Sequence, residues 1–299
     1  MTLPFLLVDA FTDTPLGGNP CAVVLDADGL SDADMQRLAV EFNQSETAFV
    51  RASRTADFAV RFFTPAEELP LAGHPTIATV MALLHTGRLR PVAGHASLQL
   101  EFLQGPIRID IEPAANGRPE IRMTQRRPSF GALHDPVVVA PLFGLRPEDL
   151  HPGAPVQTVG TGTQQLMMMV RDHAALRRAR PPEGPAYARY RAGSDFFSPH
   201  LFCLGGATPA GDTFARHFGI PPDIPEDFVT GSATGGMAAY LWHHGYLERA
   251  SFVAEQGHWL GRPGVIGVHV EGPRTAIENV QISGRGVVVV EGRLHANRA

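Results

Sequence analysis

The sequence predicts an α+β protein of two pseudo-symmetric domains, each a mixed sheet around one central buried helix. Two observations carry this. Residues 72–89 and 230–247 match without a gap at a shift of 158 positions, with six of 18 positions identical: Gly73/Gly231, Thr76/Thr234, Leu83/Leu241, His85/His243, Gly87/Gly245 and Leu89/Leu247. The stretch 76–84 is also apolar on every helical face, which marks a helix enclosed by its own core. A length of 299 residues suits two domains of about 150. The N-terminal domain is placed at 1–125 plus 286–299 and the C-terminal domain at 126–285. The apolar last strand, GVVVVEGRL, is expected to cross back into the first domain.

In chain order, 6–11 reads as a strand, 12–20 as a turn-rich loop and 21–25 as a second strand. Ser31 with Asp34 resembles a capping box, and Met35, Leu38, Ala39 and Phe42 follow at helical spacing. Strand signals resume at 47–50, in the alternating run 58–64, and at 97–102, 107–112 and 121–124. Between them lies the first buried helix, opened by Pro75 at a position where its missing N–H costs nothing and closed near Gly87. Residues 126–135 are the candidate crossover between domains. Strands then restart at 137–139, 156–159 and 162–170, a capped helix is expected over 172–180, and 181–199 reads as a loop-rich insertion. Residues 264–270 and 287–291 are strand-like again.

Composition narrows the function. Hydrophobic residues make up 44% and charged ones 18%, enough for a sizeable core, and the net charge of −5 comes without a basic run, which argues against a nucleic-acid partner. No apolar segment approaches the length of a membrane span, and the first residues do not read as a signal peptide. Two cysteines make no disulfide framework, so the expected home is the cytoplasm. All 25 basic residues are arginine. Without lysine there is no Schiff base, no lysine-anchored pyridoxal phosphate and no P-loop. No H-E-x-x-H or C-x-x-C occurs, and no metal is predicted.

The candidate chemistry sits at the starts of the two matching helices. Open N–H groups there suit a carboxylate or phosphate, and Gly73-His74 and Gly231-Ser232 are placed to supply them, facing a shared groove if the halves are duplicates. Glu46, in a turn at the start of an apolar strand, is either an ordinary surface glutamate or an enclosed carboxylate suited to take and return a proton. His74 is either a proton donor and acceptor or a cap for its own helix. Asp227 is a solvated loop acid or a holder of a histidine or substrate amine, and Ser232 a simple N-cap or a substrate contact. No serine shows the G-x-S-x-G elbow of hydrolases.

Asp9-Ala10-Phe11, Gly18-Asn19-Pro20, Ser45-Glu46-Thr47-Ala48-Phe49, Arg61-Phe62-Phe63-Thr64-Pro65, Ala72-Gly73-His74-Pro75 and Asp227 through Ala233 together resemble the PhzF-like phenazine-biosynthesis family. The resemblance implies a diaminopimelate epimerase-like fold, in which each domain wraps a barrel-like sheet on a central helix. It implies a cofactor-free isomerase of a small carboxylate substrate, like the one that moves a proton between ring carbons of trans-2,3-dihydro-3-hydroxyanthranilate, and a homodimer. The family's catalytic glutamate falls on Glu46, and its supporting histidine, aspartate and serine on His74, Asp227 and Ser232. Substrate contacts would fall on Asn19, Ser45, Gly73 and Gly231. Two departures from related patterns stand out. Phe228 stands where the family usually has proline, and Ala72 and Thr230 stand where two-thiol epimerases and racemases carry cysteines, which disfavours a thiol-pair racemase. The alternatives are an epimerase, racemase or dehydratase of a small amino or hydroxy acid, and a small-ligand binding protein without catalysis.

Overall fold

The computed structural model describes residues 2–114, 117–219 and 225–295. The chain divides into two compact units. The first runs to Thr124 and resumes at Ser283; the second runs from Gln125 to Ile282.

In the first unit, Gly286–His295 pairs antiparallel with Thr2–Ala10, which pairs antiparallel with Asn19–Val24. Glu46–Arg51 then adds in parallel, Phe58–Phe63 antiparallel, Ala96–Phe102 in parallel, and Gly105–Pro113 and Pro119–Thr124 antiparallel. The second unit repeats this order of directions. Ser129–His134 pairs with Val156–Gly160 and that with Gln164–Met169, both antiparallel. Ser198–Leu204 follows in parallel, Thr213–Phe218 antiparallel, Ser251–Gln256 in parallel and Gly264–Glu271 antiparallel.

Each sheet wraps one central helix. Gly73–His85 packs on Thr2–Ala10, Asn19–Val24, Glu46–Arg51 and Gly286–His295; Gly231–His243 packs on Val156–Gly160, Gln164–Met169 and Gly264–Glu271. Enclosure explains why both helices lack a charged face. It also requires their few hydroxyls to find internal partners. The matched pair Thr76 and Thr234 both donate four residues back, to the carbonyls of Ala72 at 2.7 Å and Thr230 at 3.0 Å. The helices also end alike. Gly87 (φ 68°) and Gly245 (φ 79°) take the left-handed turn, and the next amide reaches back to Leu83 or Leu241 at 3.0 and 2.9 Å. The identities Leu83/Leu241 and Gly87/Gly245 are thus the two residues that this closing motif uses.

Asp32–Phe42 starts with the capping box read from Ser31 and Asp34, and Asp172 caps His173–Arg178 by accepting the Ala175 N–H at 2.7 Å. Three expectations need correction. Part of the supposed crossover 126–135 is the strand Ser129–His134, paired with Val156–Gly160. Residues 137–139 are not a strand but lie in the short helix Pro136–Val139, where Asp135 accepts the Val137 N–H and proline sits in the first turn, so local capping overrides the β-branched run. The insertion 181–199 contains the helix Gly184–Ala192, anchored by buried Tyr187. Among the described residues no helix is long and apolar enough to cross a membrane.

Candidate active site

In the first unit the parallel pairing of Asn19–Val24 with Glu46–Arg51 starts both strands at the same sheet end, with Cys21 opposite Glu46. The loop before Asn19 is tightly built. Asp9, itself buried, accepts the Leu16 N–H at 2.7 Å, and Gly18 lies at φ 54° where a Cβ would come within 2.1 Å of the Ala10 carbonyl oxygen. Only glycine fits there.

Asn19 is fully buried, and its Nδ2 amide lies 3.1 Å from His74 Nδ1. An amide NH₂ only donates, so Nδ1 accepts and the neutral ring carries its proton on Nε2. That nitrogen points at Ser45 Oγ, 3.4 Å away, and comes within 3.2 Å of Glu46 Oε2. Ser45 Oγ in turn donates to Asn19 Oδ1 at 3.4 Å. His74 is therefore held by Asn19 in one tautomer, with its Nε2–H facing Ser45 Oγ and Glu46 Oε2 lying 3.2 Å from the same nitrogen. The His74 side chain is 4% exposed and that of Glu46 is 18% exposed, so the pair is enclosed yet the carboxylate can be reached. Burial, with the Glu46 charge adding to it, pushes the Cys21 thiol well above its ordinary value. Cys21 is accordingly a neutral wall behind the carboxylate.

The cap of the first central helix is Ala72, and no side chain caps it. His74 is the second helical residue and bonds Asn19 and Ser45, so it does not cap its own helix. The start of this helix, at Gly73, keeps its partial positive charge next to the Glu46–His74 pair.

The second unit shows a parallel arrangement. Thr230 is the helix cap, again without a side-chain capping bond; Ser232 is the second helical residue, the position His74 holds in the first helix, and so is not the N-cap. Thr230 Oγ1 donates to Asp227 Oδ2 at 2.5 Å. Gln256 holds the same turn, its Nε2 donating to the Asp227 carbonyl at 2.9 Å and its Oε1 accepting the Thr230 N–H at 3.1 Å. Phe228, in the place of the usual proline, lies under the Arg262 guanidinium, 5.2 Å from its ring centre.

Asn19, Ser45, Glu46, Gly73 and His74 are thus brought together in the first unit, and Asp227, Gly231 and Ser232 in the second. Sequence reading missed Gln256 and Gln125. Gln125 is buried and its Nε2 donates to the Gly231 carbonyl at 3.0 Å, fixing the first peptide of the second helix. Neither glutamine sits in a motif, so the sequence carries no signal for them. Among the described residues no group of three or more His, Cys, Asp or Glu side chains is placed to hold a metal.

Comparison with known proteins bears on family and fold. The family profile described as phenazine biosynthesis-like protein (PhzC-PhzF) matches residues 8–292. A trans-2,3-dihydro-3-hydroxyanthranilate isomerase of Pseudomonas chlororaphis is 33% identical, over 97% of this chain and 98% of that protein. The crystal structure of a Bacillus anthracis phenazine biosynthesis protein of the PhzF family superposes with a TM-score of 0.88 at 31% identity, covering 99% of this chain and 100% of that one. A hydroxyproline epimerase of Agrobacterium vitis, at 13% identity and a TM-score of 0.65, covers 98% of this chain and 92% of its own; it shares the fold.

Proposed function

The chain belongs to the phenazine biosynthesis-like (PhzF) family and is an isomerase, and on that premise we propose that Glu46 is the group that moves the proton. Its carboxylate takes a proton from a carbon made acidic by a neighbouring double bond or carbonyl. The electron pair of the broken C–H bond delocalises into the unsaturated system. The resulting carboxylic acid then gives the proton to another carbon of the same molecule, so nothing is gained or lost overall. The observation that supports this reading most is the 3.2 Å approach of His74 Nε2, on a ring fixed by Asn19, to the Glu46 carboxylate. The imidazole sets a polar neighbour beside a carboxylate that is largely enclosed, with its side chain 18% exposed.

The substrate is a small unsaturated carboxylate of the kind for which the Pseudomonas chlororaphis relative is named. Its negative charge is neutralised at a helix start such as Gly73, a preorganised electrostatic contact that strengthens as charge develops during proton removal. Asn19 and Ser45 serve by holding His74. Asp227 and Ser232 are proposed as further contributors to turnover, each tested by its own variant.

Glu46→Gln tests the reading, because it removes the titratable group and keeps the shape. Turnover of trans-2,3-dihydro-3-hydroxyanthranilate should fall by roughly 10²–10⁴-fold, with loss of deuterium uptake from heavy water and an unchanged unfolding midpoint. Undiminished turnover by that variant would remove Glu46 as the base.

A further inference from the structure

The two units repeat each other closely enough for each to serve as the other's control. In the first, one ladder row crosses three strands: Ala48 lies opposite Phe62, and Phe62 opposite Leu69. In the second, the same row reads His200, His217, Asp227. The equivalence is fixed by the adjoining rung, where Phe63 faces Glu68 and Phe218 faces Glu226. Arg61 forks onto Glu68 at 2.6 Å, as Arg216 does onto Glu226 at 2.8 and 2.6 Å. Opposed residues of an antiparallel pair project from the same face. A wholly apolar row in one unit is therefore a row of three titratable side chains in the other.

The two histidines form a directed chain. Ser198 Oγ donates its one proton to Gln165 Oε1 at 2.6 Å, so it accepts from His217 Nε2, 3.0 Å away. His217 Nδ1 is then bare and takes the His200 Nδ1–H at 3.3 Å. That leaves His200 Nε2 buried without a hydrogen-bond partner. A buried, partnerless nitrogen costs stability, and Ala48 and Phe62 show that the fold accepts hydrocarbon at both positions. The histidines are thus not required for packing. What distinguishes their row from its twin is the carboxylate at its end.

We propose that His217, backed by His200, is a positioning residue for Asp227: a neutral polar wall that lets a carboxylate stand where the first unit carries leucine. Other groups near Asp227 include Thr230 Oγ1 from the helix start, Gln256 from Ser251–Gln256, the Arg216–Glu226 pair of the neighbouring rung, and Arg262 over Phe228. With hydrocarbon in place of the imidazoles, the Asp227 carboxylate loses polar surroundings and its charged form is disfavoured. The consequence for catalysis rests on the reading above, in which Asp227 serves turnover.

The test swaps the row for its twin, His200→Ala with His217→Phe. The Asp227 carboxyl is followed by ¹³C NMR titration and assigned by its disappearance in Asp227→Asn. Its midpoint should rise by about one pH unit, with no loss of thermal stability, and His217→Gln, which keeps a neutral hydrogen-bonding group, should bring most of that rise back. An unmoved midpoint in the swapped variant overturns the proposal. Should the double variant not fold, His200→Ala and His217→Phe are titrated singly and judged in the same way. Turnover by Asp227→Asn is measured separately. Full activity there removes Asp227 from the site and leaves the titration result standing.

Discussion

Replacing Asn19 by leucine tests how His74 is held. The substitution keeps the volume and deletes the amide. Asn19 is fully buried, so no solvent replaces the bond to His74 Nδ1 at 3.1 Å. The bare nitrogen is then an unpaired acceptor on a ring that is 4% exposed, and such a group costs about 1–3 kcal/mol. The contact from Ser45 is long, 3.4 Å, and its loss adds only a few tenths of a kcal/mol, roughly. The total is about 2 kcal/mol, which lowers the thermal midpoint by roughly 4–8 °C for a domain of this size. Circular dichroism on urea and thermal unfolding reads both numbers. The same variant releases the ring to either tautomer, so turnover should fall with it, and ¹⁵N NMR of His74 should change from a pure Nε2–H pattern to a mixture. A variant within about 0.5 kcal/mol of the parent, the usual spread for a substitution that touches nothing, and with an unaltered imidazole spectrum, would show that Asn19 does not hold the histidine.

Two further predictions concern the second unit. At Gly235, inside the second central helix, a Cβ would come within 1.7 Å of Gln125 Oε1, so Gly235→Ala should cost about 1–3 kcal/mol, and Gln125→Ala in the same chain should recover part of it; equal unfolding midpoints for the parent and the single variant would refute the clash. Burial pushes His217 down to about 3 and His200 well below its ordinary value, so the folded state binds fewer protons than the unfolded state, whose histidines titrate near 6.5. The stability so contributed is fully present above that value and is lost as pH falls from there towards 3, by about 2 kcal/mol for His217 between pH 7 and pH 5. Urea midpoints at the two pH values measure this, and the His200→Ala/His217→Phe variant should show a clearly smaller drop.

The repeat was legible because closing a buried helix leaves few residue choices. Gly87 and Gly245 must turn left-handed, and Leu83 and Leu241 sit where the returning amide lands. The Ser31–Asp34 capping box and the alternating strand 58–64 were legible for similar local reasons. The three valines at 137–139 misled, since β-branched residues favour strands, whereas Asp135 and Pro136 set a helix start that the intrinsic preference of three residues does not outweigh. The approach of Ser45 and Glu46 to His74 joins parts far apart in the chain, Ser45 and His74 being 29 residues apart, and depends on a parallel pairing that no local pattern encodes; the family resemblance suggested the residues but not the tautomer. The His200–His217–Asp227 row was invisible for the same reason, its members lying on three separate strands.

The pairing of Gly286–His295 with Thr2–Ala10 has a consequence for biogenesis. While the ribosome is still reading the second unit, the opening strand has one neighbour, Asn19–Val24, and its other edge is bare. The continuous second unit can finish first; the discontinuous one waits until residues 286–295 have been made. A nascent chain stalled or cut short before residue 286 would leave that edge as a template for a stray strand, so the ten-residue strand Gly286–His295 acts as the seal whose synthesis is a condition for a sound first unit.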